Sequence, residues 1–415
     1  MSDAAGRSSS AKFNPTRVRR AIIYKGTTAA GELLRDRDEV IFRYLPEYLD
    51  TRGRPVATTL PKSRDAYRTR GATVPAFFAG LLPEGRRLQV LPTSLKTSPD
   101  DEYSMLVAIG RDCIGDVRVI AEDEDPESSY GSPSIVRPQD VSFNEILESE
   151  LSLGFRSIDK SIPGVQNKLS DSMLSLPVRN EAGGAILKLN PASHPLIVEN
   201  EAYVLDMARA AGLRVPLATL VRDRNGLSGL VIERFDRKRS KDGTITRIAQ
   251  EDAVQLANLL PAQKYRMTTH EVFEAVLKIA TAKPLAAEQL LRQFAFSYVV
   301  ANGDLHAKNI SVYFEPDGIW SVTPAYDLVC TLPYGDDRMA LDFFGRDRNF
   351  SGANFRDIGI QQRLPEGVVR RVIAEVTERV EPLVDSLDAI GFSDKKTSHI
   401  QREMTHRIAQ IRHIS

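Results

Sequence analysis

Three side chains in the last third of the 415-residue chain raise the question of chemistry. Asp304 and Asn309 stand five residues apart in Asn302-Gly-Asp-Leu-His-Ala-Lys-Asn309, and Asp327 follows in Thr323-Pro-Ala-Tyr-Asp-Leu328. Phosphoryl transfer needs these residue types. One carboxylate orients an acceptor hydroxyl and takes its proton, while an amide oxygen and a second carboxylate hold Mg²⁺ against the phosphates. Mg²⁺ takes few ligands from protein and the rest from phosphate and water, so an Asp/Asn/Asp set is sufficient. Taken singly, Asp, Asn, Gly and His also gather in turns for backbone reasons, and that reading stays open for each of them. The five-residue interval, set between apolar runs, favours the phosphoryl-transfer reading for the set.

Upstream residues extend it. Lys188 lies inside Ala185-Ile-Leu-Lys-Leu189, with apolar neighbours on both sides. A buried ammonium needs anionic partners, such as nucleotide phosphates and a carboxylate from a neighbouring helix. Glu201 on the following helix is the expected ion-pair partner. The bland alternative is a solvent-facing lysine of an alternating strand. Ser161-Ile-Pro-Gly-Val-Gln-Asn-Lys168 is a candidate phosphate loop, although its single glycine does not match G-x-G-x-x-G. Leu230-Val-Ile-Glu-Arg-Phe-Asp236 leaves a strand into polar residues, as a hinge presenting backbone groups to adenine would, and as an ordinary strand end also would.

The elements that must position these residues follow from the apolar pattern. Residues 1–20 are polar, Ser-rich and basic, and are expected to be a disordered tail. Strand-like runs at Ala21–Tyr24, Glu32–Leu34, Val40–Tyr44 and Val117–Ala121 define a mainly β N-terminal subdomain over 21–121, with a short helix at Val74–Leu82. The acidic, Pro/Ser/Gly-rich stretch that follows reads as a linker, 122–138. Residues 139–255 carry the loop, the Lys188 strand, a helix over Glu199–Ala211 closed by Gly212, and strands at Val215–Val221 and Leu227–Ile232 joined through Asn225-Gly226. Residues 256–415 read as a helical lobe containing the Asp304 and Asp327 segments. Within it Leu290–Val300 reads as a buried helix. Val368, Val369, Val372, Ile373, Val376, Val380 and Leu383 form a stripe on another, and Asp394–His413 reads as a last amphipathic helix. The expected class is α+β, a strand-rich lobe followed by a helical one. The site lies at their junction, where ligands clamped from two sides tend to bind.

Composition excludes several classes. With 42% hydrophobic and 27% charged residues the chain is an ordinary globular protein. Lys+Arg and Asp+Glu are both 55, so no basic excess points to nucleic acid as the main partner. Cys113 and Cys330 stand in no ligand spacing, which suits a reducing compartment. No apolar run approaches a membrane span and the N-terminus has no signal-peptide core, so the expected location is cytoplasmic, without membrane contact.

Taken in order, these segments resemble the HipA family of bacterial serine/threonine kinases, the toxin half of HipA–HipB toxin–antitoxin modules. Gly31-Glu-Leu33, Phe42-Arg-Tyr-Leu-Pro-Glu47, Phe77-Phe78, Leu81-Leu-Pro83 and Ile109-Gly-Arg-Asp-Cys-Ile-Gly-Asp116 resemble the family's N-terminal subdomain. Gly164-Val-Gln-Asn-Lys168, Ile186-Leu-Lys-Leu189, Asn200-Glu201, Glu233-Arg-Phe-Asp236, Gln250-Glu-Asp252, Gly303-Asp-Leu-His-Ala-Lys-Asn309 and Pro324-Ala-Tyr-Asp327 resemble its kinase core. The D-x-H-x-K-N element with a downstream Y-D is the most specific part.

The resemblance implies a two-lobed protein-kinase-like fold, of the kind shared with phosphatidylinositol kinases, with ATP and Mg²⁺ as cofactors. Asp304 would be the catalytic base, and Asn309 and Asp327 the metal ligands. ATP would be held by Gly164, Val165, Gln166, Asn167 and Lys168 of the loop, by Lys188, by backbone groups of Glu233, Arg234 and Phe235, and by His306, Lys308 and Asn309. Ser161 falls where the family carries an autophosphorylated serine, and the added charge there would repel ATP or evict the loop. The implied partners are an aminoacyl-tRNA synthetase as substrate, a HipB-like helix-turn-helix antitoxin, and DNA through the antitoxin complex. Arg370, Arg371 and Arg379 are candidates for direct DNA contact. Two other functions stay open: a small-molecule kinase of the aminoglycoside-phosphotransferase type, which the same residues would serve equally well but the docking-like N-terminal subdomain argues against, and a non-catalytic co-repressor, which intact Asp304, Asn309, Asp327 and Lys188 disfavour.

Overall fold

The computed structural model describes residues 13–127, 137–146, 174–178 and 184–413. Five antiparallel strands open it: β1 (Arg20–Lys25), β2 (Thr28–Asp36), β3 (Glu39–Tyr44), β4 (Tyr67–Arg70) and β5 (Val117–Ala121), in the order β4-β3-β2-β1-β5. Ala21, Ile23, Leu33, Val40 and Phe42 pack with Phe77, Phe78, Tyr103 and Leu106 into one core. Helices α1 (Gly85–Leu95) and α2 (Glu102–Ile109) follow β4 in the chain. One buried charge interrupts the apolar pattern. Glu32 sits opposite Arg43 across the β2–β3 ladder and also pairs with Arg20 of β1 at 2.5 Å. Burial would raise its carboxyl, yet the Arg43 and Arg20 guanidinium groups hold it below the usual carboxylate range.

Two boundaries differ from expectation. The tail expected through residue 20 ends earlier: Asn14 accepts the Thr16 amide to cap a turn at Pro15–Arg17, and Arg20 is already a strand residue. The start of the expected linker is also tied down, because the Glu122 amide bonds Arg20 across the sheet and Glu124 pairs with Arg111. A side-chain cap, a backbone bond to the sheet and an ion pair fix these ends, none of which a composition-based reading registers.

A second antiparallel sheet contains β6 (Leu174–Val178), β7 (Ala185–Leu189), β8 (Ala218–Arg222) and β9 (Ser228–Glu233) in the order β6-β7-β9-β8. The β8–β9 turn uses Gly226 at φ +82°, a conformation glycine adopts freely. Helix α3 (Ile197–Ala210) packs on this sheet. A ribbon of β10 (Arg237–Arg239) and β11 (Ile245–Arg247) and a three-stranded sheet, β12 (Gln250–Asp252), β13 (Ser311–Phe314) and β14 (Trp320–Val322), lead into the helical lobe.

That lobe is built from α4 (Thr269–Ile279), α5 (Lys283–Val299), α6 (Gly352–Gln361), α7 (Glu366–Val384) and α8 (Asp394–Arg412). Leu290, Leu291, Phe294, Phe296 and Val299 bury α5 nearly all round, so it is the central helix. The α7 stripe, Val369, Val372, Ile373, Val376 and Val380, packs against it at the spacing read from the sequence. No helix among the described residues is long and apolar enough to cross a membrane.

Candidate active site

Lys188 and Glu201 meet as expected. The Lys188 Nζ lies 2.6 and 2.9 Å from the two Glu201 carboxylate oxygens, and it also pairs with Asp327. Lys188 is 3% exposed and Glu201 fully buried, whereas the Asp327 side chain is 45% exposed. The trio thus runs from the interior to an open edge. Burial alone would lower the lysine, but the Asp327 and Glu201 carboxylates hold it protonated, above its ordinary value. Burial pushes Glu201 up to about 7 against the pull of Lys188.

Helix α3 brings the two ends of this trio together. Asn200, beside Glu201, donates to the Cys330 carbonyl at 2.8 Å and accepts the Cys330 amide at 3.0 Å, which clamps the segment carrying Asp327. Asp327 itself has φ +53°, a left-handed conformation of order 1–3 kcal/mol above the usual regions for a non-glycine residue.

The Asp304 segment emerges from the C-terminus of α5. The Asp304 amide bonds the Asn302 Oδ1 at 3.1 Å, and the Gly303 amide bonds the Thr331 hydroxyl at 2.9 Å. Gly303 is sterically required, since a Cβ there would lie 2.5 Å from the Arg338 carbonyl oxygen. The Asp304 carboxylate is 4% exposed and accepts the Tyr265 hydroxyl at 2.9 Å. Ala307–Asn309 forms a 3₁₀ turn that buries Asn309. The Tyr326 hydroxyl donates to the Lys308 carbonyl at 2.6 Å, so the residues just before Asp327 and just before Asn309 are tied to each other.

His306 is buried, with its ring edge against Tyr265 at 5.0 Å between centroids. Neither ring nitrogen has a hydrogen-bond partner among the described residues, and burial pushes its pKa down to about 3, which keeps it neutral. Lys308 has partners other than phosphate. Its Nζ bonds the Gly80 carbonyl at 3.0 Å and lies 3.2 Å from Glu84 and 3.3 Å from Asp252. Glu84 also pairs with Lys264 at 2.5 Å; burial opposes its charge, but Lys308 and Lys264 hold its carboxyl well below the usual range. The Lys308 ammonium thus pairs with carboxylates that join the two halves of the chain.

At the expected hinge the Glu233 amide bonds the Leu217 carbonyl and the Arg234 amide bonds the Gly184 carbonyl. The Arg234 side chain pairs with Asp236 and Asp112, beside Arg237 pairing with the same two carboxylates. The Phe235 ring lies 5.7 Å from Tyr326, on the side of the Asp327 segment. Ser161, Gly164, Val165, Gln166, Asn167 and Lys168 lie outside the described residues. Arg370, Arg371 and Arg379 are engaged by Glu366, Glu288 and Glu375 on the helical lobe.

Sequence reading missed Tyr265, Lys264 and Glu84. Tyr265 stands 39 residues from Asp304, with no motif between them. Glu84 precedes α1, where an acidic residue reads as a helix cap, yet its side chain makes no cap bond.

Residues 160–383 match the model of the HipA-like C-terminal domain, and residues 21–120 match that of the HipA N-terminal domain. The chain belongs to the HipA family. A putative kinase of Sinorhizobium fredii, Y4mE, is 33% identical over 327 residues, covering 74% of this chain and 76% of that one. The serine/threonine-protein kinase toxin HipA of Shewanella oneidensis is 25% identical over 342 residues, covering 76% of each. The structure of a Shewanella oneidensis HipA, solved with HipB and operator DNA, superposes with a TM-score of 0.77 at 18% identity over 94% of this chain and 99% of that one. That superposition shows the two-lobed HipA fold, an α+β arrangement with a strand-rich N-terminal region and a helical C-terminal lobe.

Proposed function

We propose that this HipA-family chain is an ATP- and Mg²⁺-dependent serine/threonine protein kinase that acts as the toxin of a toxin–antitoxin module. The observation that carries the reading is the Lys188–Glu201–Asp327 trio, which links a buried strand, the helix behind it and a half-exposed carboxylate. A lysine held by an interior carboxylate can aim its ammonium at phosphate, as protein kinases require.

The donor set fits a hard divalent ion. Asp327 and Asn309 offer oxygen atoms on segments joined by the Tyr326–Lys308 bond, and two protein ligands suffice when phosphate and water supply the rest. An Mg²⁺ held by Asp327 and Asn309 would supply neutralisation of the charge that develops on the transferred phosphoryl group. Asp304, oriented by Tyr265, accepts the proton of the substrate hydroxyl. Lys188 orients the nucleotide phosphates, and the Phe235 and Tyr326 rings offer an apolar wall beside them. His306, neutral throughout the physiological range, adds no charge next to the base.

The acceptor in this reading is an aminoacyl-tRNA synthetase, whose modification arrests translation. Ser161 is an autophosphorylation site that switches the enzyme off. A HipB-like antitoxin neutralises the chain and links it to DNA, in keeping with the HipB and operator DNA bound by the Shewanella protein. A phosphopeptide map after incubation with ATP, Mg²⁺ and purified synthetases tests the kinase activity, the acceptor and the Ser161 switch. Phosphate on Ser161 and on one synthetase is expected. Equal labelling by wild type and Asp304→Ala contradicts it.

A further inference from the structure

Glu84 belongs to the N-terminal subdomain, yet its carboxylate lies against the catalytic loop of the helical lobe. It sits 3.2 Å from Lys308 Nζ and 2.5 Å from Lys264 Nζ, and its Oε2 is 4.0 Å from His306 Nε2. Each cation leads one step further. Lys308 is the residue before Asn309, on the same 3₁₀ turn. Lys264 precedes Tyr265, whose hydroxyl holds Asp304, and the Lys264 carbonyl accepts the Ala307 amide at 3.2 Å. The cluster balances two lysines with two carboxylates, Glu84 and Asp252, in surroundings where an unmatched charge is costly. Nothing in a solvent-separated docking module requires a carboxylate there.

We infer that Glu84 is a positioning residue for phosphoryl transfer: the N-terminal subdomain completes the active site by anchoring, through Lys308 and Lys264, the turn that presents Asn309 and the tyrosine that orients Asp304. The inference rests on the kinase reading above. It makes displacement of the subdomain a way to turn the site off, because lifting Glu84 takes from both lysines the carboxylate they share. Lys308 then keeps Asp252 as its one carboxylate of the pair, and the turn carrying Asn309 loses its tether to the N-terminal subdomain. Small misplacements of this kind cost rate far more than binding.

The test compares wild type, Glu84→Gln, Glu84→Asp and Thr58→Val in the full chain. Thr58 crosses the same inter-subdomain boundary through its hydroxyl, 2.7 Å from Glu251, without touching the catalytic loop. Measured quantities are kcat and KM for ATP in phosphate transfer, ATP affinity by titration, and melting temperature. Glu84→Gln is expected to lower kcat roughly 10- to 100-fold with ATP affinity changed less than about 3-fold, and Glu84→Asp to recover part of the loss. Thr58→Val should lower the melting temperature but keep kcat. A Glu84→Gln enzyme with wild-type kcat overturns the inference, as does a loss of kcat in Thr58→Val matching that in Glu84→Gln for the same loss of melting temperature. A wild type no more active than Asp304→Ala instead overturns the kinase reading itself, and the inference with it.

Discussion

Two lysine–carboxylate clusters flank the Asp304 loop, and they differ in one respect that separates their roles. In both, a buried lysine faces two carboxylates: Lys188 faces Glu201 and Asp327, and Lys308 faces Glu84 and Asp252. The first contains a left-handed, 45% exposed aspartate at its edge, so one of its anions can be shared with an incoming ligand. The second spans a subdomain boundary: Lys308 pairs with Glu84 and Asp252, and Glu84, its side chain 31% exposed, pairs with Lys264 as well. An open cluster can exchange partners during a reaction, and one tied across a subdomain boundary holds geometry. The same residue types thus serve chemistry in one place and architecture in the other: Asp327 has one cation and sits at an edge, whereas Glu84 is shared by two lysines.

That contrast can be broken experimentally. Lys188→Met should lower phosphate transfer by about two to three orders of magnitude, measured as kcat, because it removes the charge aimed at phosphate. It should also destabilise the fold by roughly 3–5 kcal/mol, since Glu201 is left buried without its cation. Chelation of Mg²⁺ should abolish transfer while shifting the melting temperature by no more than a degree or two, because Lys188 already balances Asp327 in the free protein. A large melting shift would mean that the open cluster depends on metal to fold.

A third buried network sharpens the comparison through pH. Asp236 is buried, but Arg234 and Arg237 outweigh that burial and hold its pKa at about 2. A carboxyl depressed in the folded state stabilises above its unfolded pKa of about 3.9 and loses that contribution as pH falls toward 2. Asp236→Asn should therefore cost roughly 3–5 kcal/mol at pH 7, with the difference in melting temperature narrowing below about pH 4. The smallest expected effect belongs to Tyr265→Phe. Losing one hydrogen bond to a carboxylate costs about 1.5–3 kcal/mol of stability, and kcat should fall about tenfold because Asp304 is less well oriented.

Much of this was legible in the residues. Lys188 and Glu201 were paired from an ammonium stranded in an apolar strand and the acid on the next helix, and the structure joins them. The α7 stripe and the burial of α5 followed from helical periodicity. Glu84, Lys264 and Tyr265 were not legible, because they act across separations of 39 to 180 residues and carry no local pattern. Lys308 was legible only in part: its place between His306 and Asn309 says that it is near the site, but only the fold shows that Glu84 and Asp252 pair with it. The same holds for Arg234, whose neighbours Asp112 and Cys113 come from the other subdomain.

The central claim is that Asp304 moves a proton at a site where the open cluster aims the nucleotide. The most direct measurement is the single-turnover rate of phosphate transfer from ATP in wild type and Asp304→Asn, with ATP affinity determined on the same samples. Unchanged affinity with a rate lower by at least about 100-fold is the expected result. Equal rates in the two proteins would contradict the account.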